Sequence, residues 1–138
     1  MRRIWKWSIL IVTILFAGLM LWGCGEVKKP KKLRDLDFTV LAPEQIPAAL
    51  TEVIDENKAT EMKLSYQKEG FLYIARGFGE QTTGGYSIAV DECCLSEDGI
   101  HVTFRLIGPA SDAKMKEEVS YPYVVIKLEA IDGTIQFD

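Results

Sequence analysis

The sequence predicts a mostly β, α+β domain: an antiparallel sheet or sandwich with one helix packed on it, preceded by a signal peptide and a flexible tether. Three observations support this prediction. Apolar and polar residues alternate over several short segments. Turn residues separate these segments at hairpin-like spacing. Only one segment, at about residues 47–58, has apolar residues at helical spacing.

The folded part is expected to be a single domain at residues 35–138. Its first strand is indicated by alternate apolar residues at Leu36, Phe38 and Val40. The helix follows, with Pro47 as its first residue. Its apolar face is formed by Leu50, Val53 and Ile54. This face is expected to pack on the sheet.

The period changes to two after the helix, which predicts further strands. We place them at residues 62–67, 71–76, 86–94, 100–107, 119–130 and 134–137. The segment 71–76 is apolar on both faces up to Arg76, so we expect it in the centre of the sheet. Pro122 lies within the segment 119–130, and a proline there indicates a sheet edge or a bulge because it donates no ladder hydrogen bond.

The N-terminus has the pattern of an exported, lipid-anchored chain. A short basic segment precedes an uncharged run of 15 residues, 8–22. As a helix this run would rise about 22 Å, which is short of the roughly 30 Å hydrocarbon core. The sequence Leu21-Trp22-Gly23-Cys24 resembles the bacterial lipobox. We therefore predict a lipoprotein signal peptide at residues 1–23 and lipidation of Cys24; the alternatives are an uncleaved signal anchor or an ordinary cleaved signal.

Residues 24–34 carry five positive charges and little to bury, and are predicted to be a flexible basic tether. The lysines could also contact anionic head groups. Beyond residue 23 the chain has 13 basic and 20 acidic residues, so we expect no nucleic-acid binding. The expected location is the bacterial cell envelope, on the extracytoplasmic face of a membrane, through lipid on Cys24.

Few residues could carry chemistry, and we predict a non-enzymatic protein without metal or cofactor. His101 is the only histidine, on the polar face of its strand, and is interpreted as a surface residue. Cys93 and Cys94 are adjacent, so their side chains should point to opposite faces, one buried and one half-buried. Acidic residues near strand ends are interpreted as solvated charge: Asp91, Glu92, Glu97, Asp98, Glu117 and Glu118.

Two motifs are not explained by core or charge alone. The first motif is Thr82, Thr83, Gly84, Gly85 and Tyr86; the second is Tyr121, Pro122 and Tyr123. Hydroxyls, glycine backbone and amphipathic tyrosines suit contact with a protein partner. A purely structural role is the alternative for both. We expect positive φ values at both glycines, on an exposed surface.

These motifs resemble a known family. The segments GFLYIARG from Gly70, TGGYSI from Thr83 and YPYVVIKL from Tyr121 are similar, in order and spacing, to the C-terminal domain of the PrcB family, which is named for a protease complex. The resemblance covers about residues 70–128. It implies a small bacterial lipoprotein that associates with an extracellular protease and supports its stability or maturation. The longer segment at residues 77–81 departs from the family pattern.

Two other functions remain open. Residues 82–86 also resemble the N-P-T-T-G-[FY] loop of chagasin-type cysteine-protease inhibitors, although the Asn-Pro is absent and a glycine is added. That likeness implies a loop wedged into a protease cleft. The third possibility is an envelope lipoprotein that binds a small ligand or cell-wall polymer through Tyr73, Tyr86 or Tyr121.

Overall fold

The computed structural model describes residues 30–110 and 118–138. The predicted signal peptide, Cys24 and most of the tether lie outside the described residues. Within the described part, no helix has the length and apolar character needed to span a bilayer.

The described residues form eight strands, one α-helix and one short 3-10 helix. The strands are β1 (Lys32–Asp35), β2 (Thr39–Val40), β3 (Glu61–Lys68), β4 (Phe71–Phe78), β5 (Ser87–Ser96), β6 (Gly99–Ile107), β7 (Tyr123–Glu129) and β8 (Ile135–Phe137). The 3-10 helix is Pro43–Gln45 and the helix α1 is Ala48–Asn57.

The strands form two four-stranded sheets. Sheet 1 has the order β1-β5-β6-β8, and sheet 2 has the order β2-β7-β4-β3. All strand pairs are antiparallel except β6 and β8, which run parallel. The predicted mostly β fold, with antiparallel sheets and one packed helix, is confirmed.

The main core lies between the two sheets. Sheet 2 contributes Leu72, Ile74, Ile126 and Leu128, and sheet 1 contributes Cys93, Ile100, Val102 and Phe104. Complete burial of an aliphatic side chain of this kind stabilises the fold by about 1.5–3 kcal/mol. The alternation predicted for residues 100–107 therefore reflects one face turned into this core.

The other face of sheet 2 lies under α1. Leu50 and Ile54 of the helix pack with Tyr73 and Ala75 of β4. Strand β4 is thus covered on both faces and lies inside its sheet, as its apolar sequence predicts. The helix begins at Ala48, one residue after the predicted start, and Pro47 is its N-cap.

The register gives the molecule two distinct ends. The turn end contains the β3–β4 and β5–β6 turns together with Lys32, which pairs with Ser96. The loop end contains the last residues of β4 and β6 and the first residues of β5 and β7. The C-terminus of α1 also lies at the loop end, since the backbone N–H of Glu80 donates to the carbonyl of Ala59.

Several boundaries differ from the sequence prediction. Strand β1 begins at Lys32, inside the segment predicted as a tether, and it pairs with β5 through its backbone while all four of its residues stay exposed. The strand predicted from the alternation of Leu36, Phe38 and Val40 is shorter than expected, because only Thr39–Val40 form β2. Leu36 lies before this strand and is buried. The final segment does not form a hairpin with β7; it crosses to sheet 1 and lies parallel to β6.

Candidate functional site

The two sequence motifs meet at the loop end. Gln81 and Ser120 form an antiparallel bridge, with N···O distances of 2.8 and 3.0 Å. The hydroxyl of Ser120 donates to the carbonyl of Thr83 at 2.6 Å. Ser120 therefore connects a loop before β5 to a segment before β7, 37 residues apart along the chain.

The glycine prediction is half correct. Gly85 has φ +84°, in the left-handed region that favours glycine, and it is exposed. A Cβ at this position would lie 3.0 Å from Cβ of Pro109, so the loop passes close to the end of β6. Gly84 has no positive φ and is half-buried rather than exposed, so the expectation is wrong for that residue.

The exposed residues of the two motifs are fewer than predicted. Thr82, Gly85 and Tyr121 are exposed, and Thr83 and Tyr86 are half-buried. Tyr123 packs against the cluster beneath α1, which gives it a structural role. The surface available to a partner is therefore narrower than the two motifs suggest.

Pro122 lies just before a strand rather than inside one. Strand β7 begins at Tyr123, and the carbonyl of Pro122 accepts a hydrogen bond from the N–H of Phe78 at 3.1 Å. Neither the expected sheet edge nor the expected bulge is found, because β7 lies between β2 and β4 and its register with β4 is continuous. A proline at this position loses no ladder hydrogen bond, because its residue precedes the ladder.

Two residues at the loop end are not singled out by the sequence. Lys58, the C-cap of α1, places its ammonium 5.8 Å from the ring centroid of Tyr121. Val119 is 49% exposed, a large fraction for an aliphatic side chain. We define the loop-end surface as Lys58, Thr82, Gly85, Val119 and Tyr121. These residues come from three segments of the chain, so no local pattern could have shown that Lys58 and Val119 join the exposed residues of the two motifs.

His101 lies in a network of carboxylates rather than free on the surface. Its Nε2 is 2.7 Å from Asp98 and its Nδ1 is 2.7 Å from Asp138. Hydrogen bonds from Asp98 and then Asp138 raise the pKa of His101, and His101 lowers the pKa of Asp98. Both ring nitrogens are engaged, so the arrangement supports a structural role that joins the β5–β6 turn to β8.

Both described cysteines are buried, whereas one buried and one half-buried thiol were expected. Cys93 points into the core between the sheets, where burial raises its thiol pKa to about 11. Cys94 lies on the outer face of sheet 1, with its sulfur 3.9 Å from the hydroxyl of Ser96. Burial also raises the pKa of Cys94, which favours its protonated thiol.

Several of the acidic residues near strand ends belong to ion pairs. Asp91 accepts from Nε of Arg105 at 3.0 Å, and Glu92 lies 3.6 Å from the ammonium of Lys32. Glu117 is outside the described residues. In residues 30–110 and 118–138, no three His, Cys, Asp or Glu side chains are grouped so that they could hold a metal ion.

Comparison with known families gives a match that includes both motifs and almost all of the two central strands of sheet 2. Residues 72–129 match the family model described as PrcB C-terminal. This segment corresponds to the PrcB C-terminal domain. This PrcB region extends from β4 to β7, so it contains both halves of the loop end but not α1. Searches of the curated proteins and of the solved structures returned no match.

Proposed function

We propose that this PrcB-domain protein is a non-enzymatic, membrane-anchored lipoprotein of the bacterial envelope. In this proposal it binds and stabilises an extracytoplasmic protein, as one member of a protease complex. The single observation that carries the proposal is the meeting of the two family motifs at one exposed end of the PrcB domain.

The chemistry of the loop-end surface suits a protein partner. Tyr121 and Val119 offer apolar area, while Thr82 and Lys58 surround it with polar and charged groups. An aromatic side chain bordered by polar residues is typical of a protein–protein contact. The hydrogen bonds of Ser120 hold the loop in place before binding, which lowers the entropy cost of association.

The test is co-purification of the tagged full chain from native membranes in mild detergent, with a proteolysis assay on the eluate. Tyr121→Ala should reduce recovery of the partner. Phe71→Ala is the matched control, because both aromatic residues are 37% exposed and Phe71 lies at the turn end. Recovery of a protease with the wild type and with Phe71→Ala, but not with Tyr121→Ala, is the expected result. Equal recovery with both variants would contradict the proposed site.

Membrane attachment has its own test. Cys24→Ala should release the protein into the soluble fraction. The two or more acyl chains on a lipidated cysteine anchor a protein stably, and alanine carries none. Continued pelleting of the variant with membranes, after removal of the leader, would count against lipid attachment.

A chagasin-like inhibitor is a second candidate, favoured by the position of residues 82–86 at one end of a two-sheet sandwich. The same eluate distinguishes it: an inhibited protease would become active only when this protein is removed. A small-ligand function has less support. Of the three tyrosines considered, Tyr73 is buried beneath α1 and so offers little surface to a ligand, whereas Tyr121 is exposed at the loop end.

A further inference from the structure

Strand β3 is a free edge of sheet 2 within the described part of the chain. It is eight residues long and has a regular register with β4 throughout. On its helix side, Met62 is buried while Leu64 and Tyr66 are only half-buried. A long regular edge presents unpaired N–H and C=O groups and is a template for another strand.

The β3–β4 turn determines which backbone groups are free. The two-residue turn of Glu69 and Gly70, both with positive φ, closes on the pair Lys68 and Phe71. Hydrogen-bonded pairs then recur at every second residue of an antiparallel ladder. The even-numbered residues of β3 bond to β4, and the odd-numbered residues direct their N–H and C=O groups to the free side.

We propose that β3 pairs with β3 of a second copy of this chain, antiparallel, about a two-fold axis through Leu64. In this register Leu64 lies opposite Leu64 of the second copy, and Met62 lies opposite Tyr66. The half-buried apolar row of one copy is then continued by that of the other. Lys63 faces Ser65, and Glu61 faces Gln67, so no like charges are directly opposed.

Charge and polarity disfavour the neighbouring registers. A shift of two residues in one direction places Lys63 directly opposite Lys63 of the second copy, which is repulsive. The same shift in the other direction places Lys68 opposite Met62, within the apolar row. A shift by a single residue pairs free backbone groups with groups already bonded to β4. The sequence of β3 thus selects one self-complementary pairing.

This pairing would join two four-stranded sheets into one of eight strands. A single strand pair buries less than the roughly 1,200 Å² of a standard interface, so the association should be weak and dependent on concentration. The inference does not rest on the proposed function, because β3 lies outside both the loop-end surface and the PrcB region.

Disulfide trapping in the full chain tests the register. Paired residues on a two-fold axis in a non-hydrogen-bonded position have Cα atoms about 4.5 Å apart, within the range for a disulfide. Leu64→Cys should therefore give a covalent dimer under mild oxidation, at least about tenfold more than Gln67→Cys. In the proposed register the two copies of residue 67 are six residues apart, or about 20 Å. The unsubstituted chain shows any background from its native cysteines.

A proline substitution tests whether backbone pairing causes the crosslink. Ser65→Pro removes an N–H on the free side and leaves the β3–β4 hydrogen bonds intact. Added to Leu64→Cys, it should reduce the dimer about tenfold. Equal crosslinking of the two cysteine variants, crosslinking unaffected by the proline, no dimer in any variant, or crosslinking of the Leu64→Cys variant to a different protein would each overturn the proposal. Should Ser65→Pro unfold, the comparison of the two cysteine variants still decides.

Discussion

At the residue scale, Gly77 shows how a missing side chain supports packing. Gly77 lies in β4 directly opposite Met62 in β3. A Cβ at position 77 would lie 2.6 Å from Cγ and 2.9 Å from Cε of Met62. Met62 is buried beneath α1, so it has little room to move away. The glycine is therefore required by close packing rather than by a special backbone angle.

We expect Gly77→Ala to lower the free energy of unfolding by about 1–3 kcal/mol, because it overpacks the cluster beneath the helix. Urea denaturation followed by circular dichroism measures the effect. Gly84→Ala is the control, since nothing lies within 4 Å of its added Cβ and its φ is not positive. The control should change stability by less than about 0.5 kcal/mol. Equal unfolding midpoints for the two variants would disprove the packing argument.

At the scale of elements, the loop end depends on contacts between segments that are distant along the chain. Ser120 bonds to Gln81 through its backbone and to Thr83 through its hydroxyl. Close to these bonds, the backbone N–H of Phe78 donates a hydrogen bond to the carbonyl of Pro122. The loop before β5 is thus fixed to the segment before β7, and both motifs should respond when this connection is weakened.

Ser120→Ala should lower the free energy of unfolding by about 1 kcal/mol, because it removes one part-buried hydrogen bond. It should also speed amide hydrogen exchange in residues 82–86 while leaving exchange at the turn end unchanged. Thr82→Ala serves as the control, since Thr82 is exposed. Unchanged exchange in the loop of Ser120→Ala would show that the hydroxyl does not hold it.

The sequence predicts the elements whose two faces differ in environment. The segment 100–107 alternates because one face is core, and the segment 47–58 has helical spacing because α1 covers sheet 2. Strand β1 has no such signal: its four residues are all exposed, and it is held to β5 by backbone pairing and by the exposed ion pair of Lys32 with Glu92. The parallel pairing of β8, and the contact of Lys58 with Tyr121, are set by tertiary structure and leave no local pattern.

At the scale of the whole molecule, His101 links stability to pH. Its bonds to Asp98 and Asp138 join the β5–β6 turn to the last described residue. The folded state raises the pKa of His101 and lowers the pKa of Asp98. The contribution of His101 is complete below its ordinary pKa and is lost as the pH rises through the raised folded value. The contribution of Asp98 is complete above its ordinary pKa and is lost in acid.

We therefore expect the network to be fully stabilising between about pH 4 and pH 6.5. The difference in Tm between the wild type and His101→Gln should be largest in this window and should decrease as the pH rises above it, through the raised pKa of His101. Thermal melts followed by circular dichroism across this range provide the measurement. Arg105→Gln is the control on the same strand, because arginine does not titrate there. A difference that stays constant with pH would contradict the prediction.

The early start of β1 has a consequence for reach. Only eight residue steps connect position 24 to Lys32, where sheet 1 begins, and such a connection spans at most about 28 Å. An anchor at Cys24 would hold the turn end near the lipid and direct the loop end outward. The loop end would then lie farther from the membrane than the turn end by the length of β5, about 33 Å. The connection and the strand together limit the distance of the loop end from the bilayer. Partners would therefore bind within roughly 60 Å of the membrane, on the side of the domain that faces away from it.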